Sequence, residues 1–66
     1  MTPAQQDALF RSLHIHASKG WLTLAIAGQG STAYDLRGSA DQTVNEVDRF
    51  AEALKAALRG EPLPVS

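Results

Sequence analysis

The chain predicts an α+β domain: a three-stranded antiparallel β-meander with two helices on one face, in the order α-β-β-β-α. Three observations predict it. Apolar and polar residues alternate from Leu13 to Ser18 and from Trp21 to Ala27, either side of Lys19-Gly20, the pattern of a β-hairpin. A third alternating run follows Gly28-Gln29-Gly30. Val44, Val47, Ala51, Leu54 and Leu58 then recur at steps of three and four, the period of an amphipathic helix.

The first element is a short helix. Thr2 is its N-cap, Pro3 takes the first helical position, and Gln5 completes a Thr-x-x-Gln capping box. Leu9 and Leu13, with Phe10 beside them, form a small apolar stripe. The helix is expected to end near Arg11 or Ser12. A rival reading runs it on to Ser18 with Gly20 as the stop, but the alternation over residues 13–18 opposes that.

In the hairpin, a two-residue Lys19-Gly20 turn sets Ala17 opposite Leu22, Ile15 opposite Leu24, and Leu13 opposite Ile26. All three pairs share a face, and a slip of one residue would destroy the match. With Gly28-Gln29-Gly30 as the next loop, Ile26 faces Thr32, Leu24 faces Tyr34 and Leu22 faces Leu36. Gly38 ends that strand. Ser39 and Gln42 form a second capping box for the last helix, and Gly60 and Pro62 stop it. The helices are expected to bury Leu13, Ile15, Leu22, Leu24, Ile26, Tyr34 and Leu36.

Sixty-six residues make one small domain of marginal stability. Residues 1–60 are assigned to it, and residues 61–66 to a short extended tail. There is no cysteine, hence no disulfide and no thiolate metal site. The longest apolar stretch, Trp21 to Ala27, is too short to span a bilayer. The first residues lack the pattern of a signal peptide, so the chain reads as a complete soluble product with its own start methionine. Net charge is −1, which gives no general attraction to nucleic acid or anionic lipid.

The sheet face turned away from the helices carries His14, His16, Trp21, Thr23, Ala33, Asp35 and Arg37. Trp21 is expected opposite Arg37, in cation–π contact. An exposed Trp beside Arg is a binding hot-spot pattern, against the plainer reading of a solvated sheet face. His14-x-His16 has the spacing of two metal ligands, but Asp35 lies two strands off, about 9–10 Å away. No metal and no cofactor are expected. Gly28-Gln29-Gly30-Ser31-Thr32 lacks the lysine and the following helix of a phosphate loop.

The last helix is acidic along one flank, where Asp41, Asn45, Asp48 and Glu52 run toward Lys55 and Arg59. Acids early and bases late complement the helix dipole, the plain explanation. The functional one is a row of carboxylates that engages basic groups on a partner in place of a phosphate backbone. Asp48 and Glu52 are like charges at i,i+4, slightly unfavourable alone. Ser12, Ser18 and Ser31 have no base-and-orienter pair, so no enzyme is expected.

Taken whole, the stretch His14 to Trp21 and the helix Asp41 to Arg59 resemble phage-encoded anti-CRISPR proteins, the type I-C-directed group. These proteins share no motif, so no residue role is carried over. The resemblance implies binding to the CRISPR surveillance complex (Cascade), blockade of target DNA recognition, and action in the bacterial host cytoplasm. Partner-binding residues on the two surfaces are then Asp41, Asn45, Asp48, Glu52, Trp21, Arg37, His14 and His16. A monomer is expected, with no direct nucleic acid or membrane contact. Two other classes compete. One is a nucleic-acid-binding module using the exposed sheet, as in three-stranded integrase arm-binding domains; only Lys19 and Arg37 supply fixed positive charge there. The other is an assembly protein that dimerises through the Trp21 face.

Overall fold

The computed structural model describes residues 2–64. Met1, Val65 and Ser66, which the sequence reading placed at the start and in the tail, lie outside the described residues. Helix α1 spans Pro3–Ser12, strands β1, β2 and β3 span Leu13–Ser18, Trp21–Ile26 and Gly30–Asp35, and helix α2 spans Ala40–Leu58. The sheet order is β1-β2-β3, antiparallel throughout. The α+β architecture is the one expected.

Both capping boxes form. Thr2 N–H donates to Gln5 Oε1 at 2.8 Å, and Gln5 N–H to Thr2 Oγ1 at 3.2 Å. Ser39 and Gln42 repeat the exchange at 3.0 and 3.2 Å. Each box satisfies donors that a helix start leaves without partners. α1 stops because Leu13 turns to extended backbone while its N–H bonds to Phe10 O. α2 stops at a Schellman motif: Gly60 N–H donates to Ala57 O at 2.9 Å and Glu61 N–H to Ala56 O at 3.0 Å.

The first hairpin has the expected register, Leu13↔Ile26, Ile15↔Leu24 and Ala17↔Leu22. Lys19 and Gly20 both have positive φ, 54° and 82°, as a tight two-residue hairpin turn requires. The second hairpin differs from expectation by two residues. Leu22 faces Tyr34, Leu24 faces Thr32, and Ile26 faces Gly30. The loop closes earlier, over residues 27–29, because Gly28 takes φ 85° and Gln29 N–H reaches Ile26 O at 2.9 Å. Positive φ at the third turn residue demands glycine in practice. A shift of two conserves the side of every residue, so the two faces are as expected while the pairs are not.

The core is Leu24, Ile26, Tyr34, Ala53, Ala57 and Leu63, all at most 5% exposed, with Leu9, Leu13, Leu22, Phe50 and Leu54 packed around it. Tyr34 meets Phe50 edge-on, 5.9 Å between centroids, a favoured aromatic geometry. Ile15, expected in the core, is 50% exposed. α2 rests chiefly on β3 and α1 on β2, so the inner face of edge strand β1 is covered at Leu13, which packs on the core, but not from Ile15 onward. Val44 and Val47, on the expected apolar stripe of α2, are 59% and 42% exposed. The helix is turned so that Phe50, Ala53 and Ala57 meet the sheet, because alanines let its backbone approach the Tyr34 ring. Leu63 returns the segment after Gly60 to the core.

Candidate functional site

The sequence-derived residues fall on two surfaces on opposite sides of the sheet. Strand alternation puts Trp21, Thr23 and Ala25 on the outer face, since Leu24 and Ile26 point inward and are buried. His14 lies opposite Ala25, and His16 opposite Thr23. Both histidines are exposed. No group of three metal-ligating side chains occurs among the described residues.

At the hairpin end of this face, Trp21 pairs with Asp35 rather than with Arg37. β3 ends at Asp35, and the chain bends at Arg37 and Gly38. The aromatic contact survives through the length of the arginine side chain, whose guanidinium carbon sits 4.6 Å from the Trp21 ring centroid. Arg37 Nε and Nη2 donate to the two Asp35 carboxylate oxygens at 2.9 and 3.2 Å, and Arg37 N–H donates to Oδ1 at 2.9 Å. The Arg37 side-chain hydrogen bonds, then its backbone N–H, hold the Asp35 carboxyl below its usual range. The same pairing raises Arg37. The arginine stem lies against Gly20, where an added Cβ would come within 2.5 Å of Arg37 Cγ. Trp21, Arg37 and Asp35 are therefore a locked cluster, with the tryptophan still 38% exposed.

The second surface is the flank of α2. Asp41, Asn45, Asp48 and Glu52 are all exposed and recur at steps of three and four. Neighbouring charges are partly paired: Glu46 with Arg49 at 2.8 Å, and Glu52 with Lys55 at 3.5 Å. Among the described residues, no ion pair forms at Asp41 or Asp48.

Beside this flank lies a groove that sequence reasoning did not show. It measures about 580 Å³ and is lined by Tyr34, Asp48, Arg49, Glu52, Ala53 and Leu63, among others. Its base is apolar, and two carboxylates stand at its rim. Arg49 also lies over the Tyr34 ring, 5.7 Å from the centroid. The groove exists because the segment after Gly60 folds back, and a lone Leu63 between two prolines carries no periodic signal. Gly28-Gln29-Gly30 is a hairpin loop between β2 and β3 with no helix starting behind it.

Compared with known proteins, the chain matches no family model, no curated protein and no solved structure. Among the described residues, no helix is long and apolar enough to cross a membrane.

Proposed function

We propose that this protein is a non-enzymatic inhibitor that acts by binding a protein surface rich in lysine and arginine. By its resemblance to type I-C-directed anti-CRISPR proteins, that surface is the DNA path of the type I CRISPR surveillance complex in the bacterial cytoplasm. The observation that carries the reading is the junction of the α2 acidic flank with the groove floored by Tyr34, Ala53 and Leu63. A lysine or arginine has an apolar stem and a charged head. The groove base suits the stem; Asp48, without an ion pair among the described residues, suits the head, Glu52 joins it in exchange for Lys55, and Arg49 of the same lining stays with Glu46. Asp41 and Asn45 continue the same flank toward the helix start. Complementary charge of this kind speeds encounter and sets orientation.

Charge also weighs against direct nucleic-acid binding. Of the two cations on the outer sheet face and its turn, Arg37 is committed to Asp35 and Trp21. Lys19 alone is a weak basis for phosphate contact.

The test is a DNA-binding assay with purified type I-C surveillance complex. Wild-type protein should abolish target DNA binding near equimolar ratio. Asp48→Lys with Glu52→Lys should need at least about tenfold more protein, since contacts between complementary charges become repulsive. Trp21→Ala examines the sheet face separately. Undiminished inhibition by the double variant would remove the acidic flank from the account, and no inhibition by wild type would remove the target.

A further inference from the structure

We infer that the free edge of β1 pairs with β1 of a second copy of this chain, joining two meanders into one six-stranded antiparallel sheet. The inference is independent of the inhibitor's target and replaces the monomer expected from the sequence.

The hydrogen-bond phase of β1 follows from two bonds at its borders. Ala27 N–H donates to Ser12 O at 3.1 Å, so residues 12, 14, 16 and 18 bond inward to β2. Leu36 N–H donates to Gly20 O at 2.8 Å, so residues 20, 22, 24 and 26 bond to β3 and leave 21, 23 and 25 for β1. Both fix the same alternation. Leu13, Ile15 and Ala17 therefore direct their N–H and C=O groups to the open edge. Leu13 N–H is already used by Phe10 O at the end of α1. Ile15 and Ala17 remain.

Those two residues are self-complementary. With a two-fold axis at His16, Ile15 N–H donates to O of the partner's Ala17, and Ala17 N–H donates to O of the partner's Ile15. Symmetry repeats both bonds. A regular antiparallel ladder also needs facing residues on the same side. Ile15 then packs beside the small side chain of the partner's Ala17 on the inner face, and His16 meets the partner's His16 on the outer face. Setting the axis at Ile15 instead would bring the partner's Lys19 toward Arg11 at the end of α1.

Natural edge strands are protected by charge, proline, bulges or cover. β1 has none of the first three: Leu13–Ser18 is Leu-His-Ile-His-Ala-Ser in regular register. Its inner face shows Ile15 half-exposed. The opposite edge, β3, ends in the Asp35–Arg37 ion pair.

The experiment is sedimentation of the full chain at submillimolar concentration, with single-cysteine cross-linking. The chain has no cysteine of its own, so an introduced one reports without ambiguity. Wild type should run at twice the 7.0 kDa mass. Ala17→Pro removes an N–H that the monomer does not use, a place where an edge strand tolerates proline. It should raise the dimer dissociation constant about tenfold to hundredfold, through loss of two backbone hydrogen bonds. Ile15→Lys, at a half-exposed side chain, should do the same and decides the matter if Ala17→Pro misfolds. His16→Cys should oxidise readily to a covalent dimer, because facing Cα atoms in a non-hydrogen-bonded pair are about 4.5 Å apart. His14→Cys should not. A monomeric wild type overturns the inference. So does a dimer insensitive to Ile15→Lys, or cross-linking through His14→Cys as fast as through His16→Cys.

Discussion

Replacing Leu63 with alanine removes a side chain that is 5% exposed and belongs to the core cluster with Tyr34, Ala53 and Ala57. Core Leu→Ala changes cost about 2–5 kcal/mol, set by how far the surroundings collapse into the space left. Leu63 sits past the last helix on a segment able to relax, so the low end applies, about 2–3 kcal/mol. A domain of this size loses about 4–8 °C of melting temperature per kcal/mol. The expected fall in Tm is therefore about 10–20 °C. The assay is thermal unfolding followed by far-UV circular dichroism, with exposed Pro64→Ala as the matched control. A Tm for Leu63→Ala within about 2 °C of wild type, the range of ordinary surface changes, would refute the docking of this segment. It would also remove the floor of the groove on which the proposed function rests.

Two further outcomes test the packing and the outer face. Ala53→Leu should destabilise by about 1–3 kcal/mol, because a larger side chain must fit between α2 and Tyr34, whereas Val47→Ala should cost under about 1 kcal/mol at its half-exposed site. Denaturant unfolding would show the reverse order if the stripe Val44, Val47, Ala51, Leu54 and Leu58 faced the sheet. The Asp35 carboxyl should titrate below its ordinary value in a carbon-detected NMR titration, and Arg37→Ala should return it upward. Because its folded value is depressed, its stabilising contribution is present above the unfolded carboxyl value of about 3.9 and is lost as pH falls through the folded value. An unchanged Asp35 titration in Arg37→Ala would contradict the assigned cause.

Local signals were legible wherever a few neighbouring residues decide the geometry. Thr2 with Gln5, Ser39 with Gln42, and Gly60 each mark a helix end. Lys19-Gly20 sets the first hairpin because alternation on both sides admits one register. The second hairpin was less determined. Gly28 and Gly30 both qualify for positive φ, and both do adopt it, so either loop is chemically reasonable. Parity alone then fixed the faces, which is why Trp21, His14 and His16 were placed on the correct side although Trp21 had the wrong partner.

What remained hidden depended on packing between distant elements. Alanine counts little in a hydrophobic pattern, yet Ala53 and Ala57 are the buried residues of α2 because their small size lets the helix approach the sheet. The larger valines look like the core face and lie at its margin. Ile15 alternates correctly and stays half-exposed, because cover depends on where α2 crosses, not on β1. The acidic flank was readable from spacing. The groove beside it was not, since it is assembled by Tyr34, α2 and a returning Leu63 that no local pattern ties together.

The inhibitor reading rests on the junction of acidic flank and groove, and a binding titration examines that junction most directly. The measurement is the dissociation constant between the protein and purified type I-C surveillance complex, for wild type and for Asp48→Lys with Glu52→Lys. The account predicts saturable binding by wild type and a rise of about a hundredfold for the variant, roughly 2.7 kcal/mol, with the α-helical circular dichroism unchanged. Equal affinity for the two proteins, or no binding by the folded wild type, would contradict it.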